Sequence, residues 1–349
     1  MGDMTDSAER VPHILPIPHA LGTGIIIETD QRLVDGDQAA IKRFISEYET
    51  VLSRFRNDSL VGQMRAATHG GTFDFPDWAA GLFDLYDRLF EATAGAVDPC
   101  VGATLIQLGY DRSFEQQTFK RQTFEHRTLE HQIDTRNSKS ARPGSTAGPN
   151  PTNWDAYRTR TTWRDIERHG TTLVTHAPVA LDFGAAGKGY AVDLLAEQLR
   201  TTAAQSFIID AGGDVLIHGR QRPVTIALEN PFDLTQAVGT ARIAEGALCA
   251  SAPSRRHWTA QNGQQVHHLI NALDGRPVDE VAATWVSVTA KTSRQPLPTA
   301  TADGLATALF TAPPAKLRTY FDFECALLYA DRTAAQSAAF PGTFFTDNK

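Results

Sequence analysis

The segment from Asp182 to Asp193 constrains the fold and the chemistry of this chain more than any other. It reads Asp-Phe-Gly-Ala-Ala-Gly-Lys-Gly-Tyr-Ala-Val-Asp, which joins a carboxylate, a run of small residues and a lysine. The apolar residues 179–181 predict a strand before it, and helical spacing over 191–199 predicts a helix after it. Such a turn binds anions, because the first N–H groups of a helix are unpaired and its dipole favours negative charge. The alternative is an ordinary strand–helix turn in which Lys188 is solvated.

The turn does not match the common nucleotide-binding motifs. A P-loop requires Gly, four residues and then Gly-Lys-Ser/Thr. Here Asp182 stands in place of the first Gly, and Gly189 stands in place of the hydroxyl residue that holds Mg²⁺. The dinucleotide fingerprint Gly-x-Gly-x-x-Gly is also absent from this turn. The segment therefore predicts a phosphate site of another kind.

Composition excludes several classes of function. The chain of 349 residues has 42% hydrophobic and 21% charged residues, as soluble globular proteins do, and it is long enough to bury a large core. The net charge of −7 argues against a general nucleic-acid binder. No apolar run is long enough to span a membrane, residues 1–20 lack a signal-peptide pattern, and the 3 cysteines are scattered. We therefore expect a cytoplasmic protein with no membrane insertion of its own.

The order of the predicted elements favours an α+β fold. A first strand is predicted over 23–28, and an amphipathic helix follows with apolar residues from Ile41 to Phe55. A second helix carries Trp78 and ends near Gly95. Strands and helices then mix without a simple βαβ repeat, so α+β is preferred to a doubly wound α/β fold.

The chain is predicted to form one domain with two less ordered parts. We expect residues 1–20 to be a poorly ordered N-terminal extension and residues 21–345 to be a single domain. The segment at about 113–155 is polar and rich in Ser, Pro and Gly towards its end, which predicts a flexible surface insertion.

A second candidate site lies in the segment 301–310. We predict a helix over Thr301–Phe310, on which Asp303 and Thr307 are four residues apart and share one face. A carboxylate and a hydroxyl are hard oxygen ligands, which suit Mg²⁺ shared with phosphates. The alternative is an Asp near a helix N-terminus, which is common in proteins.

Three further segments are weaker candidates. His267 and His268 precede a turn that contains Gly and Pro, so one of them is a candidate general base, although a single His is more often structural. Phe55 is placed to stack on a base, but it also lies in register with the core face of the first helix, and core packing is the simpler explanation. The turn 212–214 reads Gly-Gly-Asp and is typical of a tight hairpin.

Together and in this order, these segments resemble the ApbE family of FAD:protein FMN transferases, or flavin transferases. The resemblance covers most of residues 20–330 except the polar insertion, and it rests on the order of seven motifs, none of which is decisive alone. The matching segments are Gly22-Thr23, Ser53–Ser59, Gly95–Pro99, Asp182–Asp193, Gly212–Asp214, His268–Pro277 and Ala302–Thr307.

The resemblance implies a T-fold-like α+β architecture, with mixed or antiparallel sheets and packed helices, and an FAD site with Mg²⁺ at the pyrophosphate. It implies that the metal is held by Asp303, Thr307 and the backbone carbonyl of Ala185. It implies that His268 helps to activate an acceptor hydroxyl, with Asp303 and Lys188 as further catalytic residues. The FAD-contacting positions that it implies are Leu21, Phe55, Ala96, Val97, Asp98, Asp182, Lys188 and Val278.

The implied reaction transfers FMN from FAD to a Thr or Ser hydroxyl of an acceptor flavoprotein and releases AMP. This chain departs from the family pattern mainly at Ala252, Asn271 and Asp274, on the side where an acceptor would bind. Two alternatives therefore stay open. One is an FAD pyrophosphatase that uses water and yields FMN and AMP, and the other is a protein that binds FAD without cleaving it.

Overall fold

The structure is a computed structural model. It describes residues 12–110, 154, 157–158, 160–260, 263–289 and 296–345. The helices within these residues are α1 Asp35–Leu52, α2 Leu60–Ala66, α3 Ala80–Thr93, α4 Gly102–Gln107, α5 Gly187–Leu199, α6 Pro298–Ala308 and α7 Pro314–Leu317, with 3₁₀ turns at Asp77–Ala79, Pro99–Val101, Trp163–Asp165 and Pro253–Arg255. No helix in this part of the chain has the length and apolar character that a membrane crossing requires.

The strands of the first half are few, and most of the sheet comes from the second half of the chain. The strands are β1 His13–Ile17, β2 Ile25–Thr29, β3 Gly71–Asp74, β4 Glu167–His169, β5 Thr172–Thr175, β6 Phe207–Asp210, β7 Asp214–His218, β8 Val224–Glu229, β9 Ala237–Ile243, β10 Gly246–Ser251, β11 His257–Thr259, β12 Gln265–His267, β13 Ile270–Asn271, β14 Arg276–Pro277, β15 Val281–Val288, β16 Glu324–Tyr329, β17 Ala334–Gln336 and β18 Gly342–Phe344.

A central sheet of eight strands has the order β1-β2-β6-β7-β10-β15-β16-β17. A second sheet has the order β18-β9-β8, and a third has the order β3-β5-β4. The two short pairs β11–β12 and β13–β14 stand apart. All of these described pairs are antiparallel. The predicted α+β class is confirmed, with antiparallel sheets and packed helices.

The central sheet is buried on both faces because successive strand residues point to opposite sides. On β15, Val286 and Val288 pack into the larger core, which includes residues of α1, α3, α5 and α6. Ala283 and Trp285 of the same strand pack into a second core with residues of β8 and β9. A strand between two apolar layers reads as a nearly continuous apolar run, which is how β15 appears in the sequence.

Two predictions from the sequence are wrong. His13–Ile17 was assigned to a poorly ordered extension but forms an edge strand of the central sheet, paired with β2. Pro16 makes this strand hard to recognise in the sequence, although an edge strand tolerates a proline.

The strand predicted over residues 179–181 is the second wrong prediction, because these residues lie in none of the described strands. They are apolar because they are buried, and Val179 N donates to the carbonyl of Met64 at 3.4 Å rather than to a sheet ladder.

Two other predictions fall largely beyond the described residues. Residues 1–11 and, apart from Trp154, the predicted insertion at about 113–155 lie outside the described part of the chain.

The last residue of the Asp182–Asp193 segment has a structural role. Asp193 is buried on α5, and its two carboxylate oxygens accept hydrogen bonds from Thr299 N at 3.1 Å and Ala300 N at 2.9 Å. These N–H groups belong to the first turn of α6, whose own N-cap residue, Leu297, supplies no side-chain acceptor. Asp193 therefore caps α6 from a neighbouring helix. Burial raises the pKa of this carboxyl group to about 7 in spite of the two N–H donors.

We expect Asp193→Ala to lower the free energy of unfolding by about 2–4 kcal/mol, because two buried N–H groups lose their acceptor. Asp193→Asn keeps one side-chain oxygen and should cost less. Urea unfolding of the three proteins measures the difference. An alanine variant as stable as the parent would show that α6 does not depend on this cap.

Candidate functional site

A cavity of about 870 Å³ lies between the C-terminal end of α1, the start of α5, the middle of α6 and the central sheet. Its volume is within the range of small-molecule sites in proteins, about 300–1,000 Å³. Most of the site residues expected from the sequence line it, although they come from distant parts of the chain. Those residues are Leu21, Phe55, Ala96, Val97, Asp98, Asp182, Ala185, Lys188, His268, Asp303 and Thr307.

Val278 is the predicted site residue that the structure leaves outside the cavity lining. It packs against a small core with Leu269 and Phe310, and its backbone N–H donates to the carbonyl of Leu269 at 3.2 Å.

Asp98 lines the cavity, but its carboxylate already accepts two backbone hydrogen bonds. It accepts from Cys100 N at 2.7 Å and from Trp163 N at 3.2 Å.

The turn before α5 is built by local hydrogen bonds. Asp182 Oδ1 accepts from Gly184 N at 2.6 Å, and Gly187 N donates to the carbonyl of Phe183 at 2.8 Å. The helix then begins at Gly187, so Lys188 lies in its first turn. Gly189 has no room for a side chain, because a Cβ there would lie 2.4 Å from the carbonyl oxygen of Thr299 on α6. The small residues of this segment thus bring α5 and α6 together.

Lys188 lies between two buried carboxylates. Its Nζ forms an ion pair with Asp214 and lies 3.6 Å from Asp303 Oδ1. Burial alone would lower the pKa of Lys188, but Asp214 and Asp303 outweigh burial and raise it. Burial and the nearby Asp214 raise the pKa of Asp303 to about 7, while Lys188 opposes that rise. The lysine is therefore held as a cation at the inner end of the cavity.

Asp303 sits in the middle of α6, not near its N-terminus, so the interpretation as a helix-start carboxylate is wrong. The residue is 2% exposed, and its Oδ2 accepts from Gly189 N at 2.9 Å. Thr307 lies one turn later, and its hydroxyl is 3.5 Å from the hydroxyl of Ser251 on β10. The helix therefore presents a carboxylate and a hydroxyl to the same cavity, as the spacing predicted.

The donor set at this end of the cavity fits a magnesium ion. Asp303, Thr307 and the backbone of Ala185 are hard oxygen donors, and Asp214 Oδ1 is buried with no hydrogen-bond partner. The described residues contain no group of three or more His, Cys, Asp or Glu side chains suited to a metal. A sparse protein ligand set is what Mg²⁺ uses when phosphates supply further ligands.

His268 directly follows β12, the second strand of the β11–β12 hairpin, and lines the cavity. Its Nδ1 is 3.3 Å from the carbonyl oxygen of Arg256. A carbonyl oxygen only accepts, so Nδ1 carries the ring proton and Nε2 keeps a free lone pair. Burial, followed by the charge of Arg256, lowers the pKa of His268 to about 3. The ring is therefore neutral near pH 7 and able to accept a proton at Nε2.

One wall of the cavity is aromatic. Phe55 lies beyond the end of α1 and is only partly buried, so its interpretation as a core residue is wrong. Its ring meets that of Tyr110 edge-to-face with centroids 5.5 Å apart. Arg54 is 6% exposed, forms an ion pair with Asp182 and lies 4.2 Å from the centroid of Phe55. Such a wall can stack on a planar ring.

Sequence reasoning missed Arg54, Tyr110, Asp214 and Arg256. No local sequence pattern marks Arg54 or Arg256 as a site residue, because the residues that they contact are far from them in the chain. Asp214 was visible in the turn Gly212-Gly213-Asp214, which does form the hairpin between β6 and β7. Gly212 is needed there, since it has φ +68° and a Cβ would lie 2.3 Å from the hydroxyl of Thr23.

Comparisons with known proteins agree on one family. A sequence model of the ApbE family matches residues 21–327. A relative from Vibrio cholerae, named FAD:protein FMN transferase, is 24% identical over 276 residues, which is 78% of this chain and 72% of the relative. A protein of the same name from Haemophilus influenzae is 31% identical over 151 residues, or 42% of each chain.

Solved structures show the same fold. The structure of the flavin transferase ApbE from Vibrio cholerae superposes with a TM-score of 0.71 at 22% identity and covers 95% of this chain and 98% of its own. The ApbE protein from Thermotoga maritima gives a TM-score of 0.71 at 19% identity and covers 94% of this chain and 97% of its own.

Proposed function

The chain belongs to the ApbE family, and from this premise we propose that it is a flavin transferase. It would move FMN from FAD to a Thr or Ser hydroxyl of an acceptor flavoprotein, with Mg²⁺ as cofactor and AMP as the leaving group. The observation that carries the proposal is that a single cavity gathers Asp303, Thr307, Lys188 and His268 beside an aromatic wall.

The diphosphate of FAD would bind at the inner end of the cavity. Asp303, Thr307 and the carbonyl of Ala185 would hold Mg²⁺, which when bound neutralises and orients the phosphate oxygens. Lys188 donates to those oxygens and contributes a fixed positive charge. The N-terminal turn of α5 lines the same cavity, and although the N–H groups of Gly187 and Gly189 are already bonded to Phe183 and Asp303, the helix dipole favours negative charge there. The developing negative charge of the transition state would thus meet preorganised donors.

His268 is positioned to act on the nucleophile. The acceptor hydroxyl oxygen would attack the phosphorus of the FMN half, while its proton passes to Nε2 of His268. The bond from that phosphorus to the bridging oxygen breaks, and AMP leaves with the electron pair. The product is a phosphodiester between FMN and the acceptor. Water at the position of the hydroxyl would give FMN and AMP instead.

The dimensions and polarity of the cavity suit a flavin dinucleotide. Its volume of about 870 Å³ lies near the upper end of the range for small-molecule sites. Phe55 offers a partly exposed aromatic ring, and behind it lies Tyr110, which is 6% exposed and stacks on Trp258. The guanidinium carbon of Arg54 lies 4.2 Å from the centroid of Phe55 and 4.6 Å from that of Tyr110. We propose that this wall contacts a planar ring of FAD.

The decisive experiment incubates the protein with FAD, Mg²⁺ and a candidate acceptor domain. Intact mass spectrometry should show the acceptor with one FMN attached, and chromatography should show an equal amount of AMP. The control is an acceptor whose modified Thr or Ser is replaced by Ala, which should stay unmodified. AMP release at the same rate without an acceptor would identify a pyrophosphatase, and intact FAD throughout would identify a binding protein.

We expect Lys188→Ala to weaken FAD binding about tenfold and to lower the transfer rate as well. The charge of Lys188 is present with or without metal, so its loss affects both binding and catalysis. The variant also leaves the buried carboxylate of Asp214 without its ion-pair partner. Titration of the protein with FAD in a buffer that contains EDTA, followed by flavin fluorescence, measures the affinity without metal. Unchanged affinity in the absence of metal would show that Lys188 does not contact the phosphates.

A further inference from the structure

Two adjacent arginines, Arg255 and Arg256, line the same cavity but differ in whether a carboxylate pairs with them. Arg255 is 62% exposed and forms an ion pair with Glu229, with its Nε 2.9 Å from Glu229 Oε1. Arg256 is only partly exposed, and its Nη1 donates to the hydroxyl of Tyr110 at 3.1 Å. Among the ion pairs of the described residues, Arg256 has none. An arginine cation without a carboxylate inside a cavity points to an anionic ligand.

Arg256 lies near both His268 and Lys188. Its backbone carbonyl accepts from the ring of His268, and its charge lowers the pKa of that histidine. The same charge opposes the rise in the pKa of Lys188, so the guanidinium lies within electrostatic reach of both residues. Arg256 therefore lies next to the proposed base and within electrostatic reach of the proposed phosphate end of the cavity.

The charge balance at the inner end of the cavity leaves room for one more cation. Asp214 and Asp303 carry two negative charges, while Lys188 and Mg²⁺ together carry three positive ones. A bound diphosphate brings two further negative charges, so the assembled site lacks one positive charge. In a region of low dielectric such a deficit costs binding energy. Arg54 does not supply the charge because it is already paired with Asp182.

We propose that Arg256 is a second phosphate-binding cation of this cavity, and that its guanidinium binds the diphosphate of FAD together with Lys188. The inference rests on the proposed function for the identity of the ligand. A guanidinium binds phosphate oxygens through parallel N–H donors, which fixes their orientation as well as their charge. Arg256 would thereby hold the diphosphate beside His268, which it also orients through its carbonyl.

The test compares ligands that carry or lack the diphosphate, in the absence of metal and of any acceptor. ADP carries the diphosphate and riboflavin carries only the flavin, and isothermal titration measures the affinity of each. Arg256→Gln should weaken ADP binding about tenfold or more, since a charged hydrogen bond is lost. Arg256→Lys should recover part of that loss. Riboflavin affinity should stay within about twofold of the parent.

Arg255→Gln is the matched control, because it removes a neighbouring positive charge that is already paired at the rim. It should leave ADP binding within about twofold of the parent. Three results would overturn the inference: ADP binding unchanged in Arg256→Gln, an equal loss of riboflavin binding, or an equal loss of ADP binding in Arg255→Gln. If ADP binding depends on Arg256 but no acceptor is ever flavinylated, the transferase proposal fails and the phosphate site remains.

Discussion

Asp303→Ala is expected to lower the Mg²⁺-dependent rate of FMN transfer by about a hundredfold or more. The carboxylate is the only charged protein group in the proposed metal ligand set, so its loss removes the charge that fixes the ion. The transition state concentrates negative charge on the phosphate oxygens, and without the ion that charge is compensated only by Lys188 and Arg256. Single-turnover measurement of AMP release at increasing Mg²⁺ checks the expectation.

Two further variants and a thermal melt separate the loss of the metal from a loss of structure. Asp303 Oδ2 accepts the buried N–H of Gly189, so Asp303→Asn, which keeps an oxygen near that N–H, should fold better than the alanine variant but still bind metal weakly. Thr307→Ala should be milder, because water can replace a neutral ligand. A thermal melt with and without Mg²⁺ and ADP reports metal binding independently of turnover. Full Mg²⁺-dependent activity in Asp303→Ala would show that the metal assignment is wrong.

The fold class follows from local patterns, but several elements do not. The helix that contains Lys188 is predictable because the apolar residues of 191–199 recur at helical spacing. Residues 179–181 show why apolar runs mislead: Val179 and Leu181 are buried, and the N–H of Val179 donates to the carbonyl of Met64 in α2 instead of to a strand. The residue that follows the segment, Asp182, likewise donates its N–H to a carbonyl outside any strand, that of Pro99, at 2.7 Å. A buried loop and a buried strand both appear in a sequence as a short run of apolar residues.

The candidate site also contains some residues that the sequence could predict and others that it could not. Asp303 and Thr307 were predictable because their spacing of four is a property of one helix. Asp214 reaches Lys188 only because β7 lies beside β10 and α5 packs over it, and no local pattern contains that information. Phe55 was interpreted as core because it continues the apolar face of α1. The helix ends at Leu52, so the following residues turn into the cavity instead.

His268→Gln is expected to lower the rate of transfer to an acceptor hydroxyl by about a hundredfold to ten-thousandfold, the usual contribution of a general base. Glutamine has a similar size and can still donate to the carbonyl of Arg256, but it cannot take a proton at the position of Nε2. FAD binding should change little, since the phosphates are held by Lys188, Arg256 and the metal. The measurement is the single-turnover rate of acceptor flavinylation at saturating FAD and Mg²⁺.

The pH profile supplies an independent check on the same histidine. The pKa of His268 is lowered to about 3 in the free protein, so the neutral form persists as the pH falls below 6.5, where an unperturbed histidine would protonate. The acid limb of the transfer rate assigned to this residue should therefore lie below pH 6.5 and be absent in His268→Gln. Arg256→Gln removes one cause of the lowered pKa and should move that limb upward. A parent enzyme that loses activity with a midpoint near 6.5, or a His268→Gln variant with the parental rate, would show that another group accepts the proton.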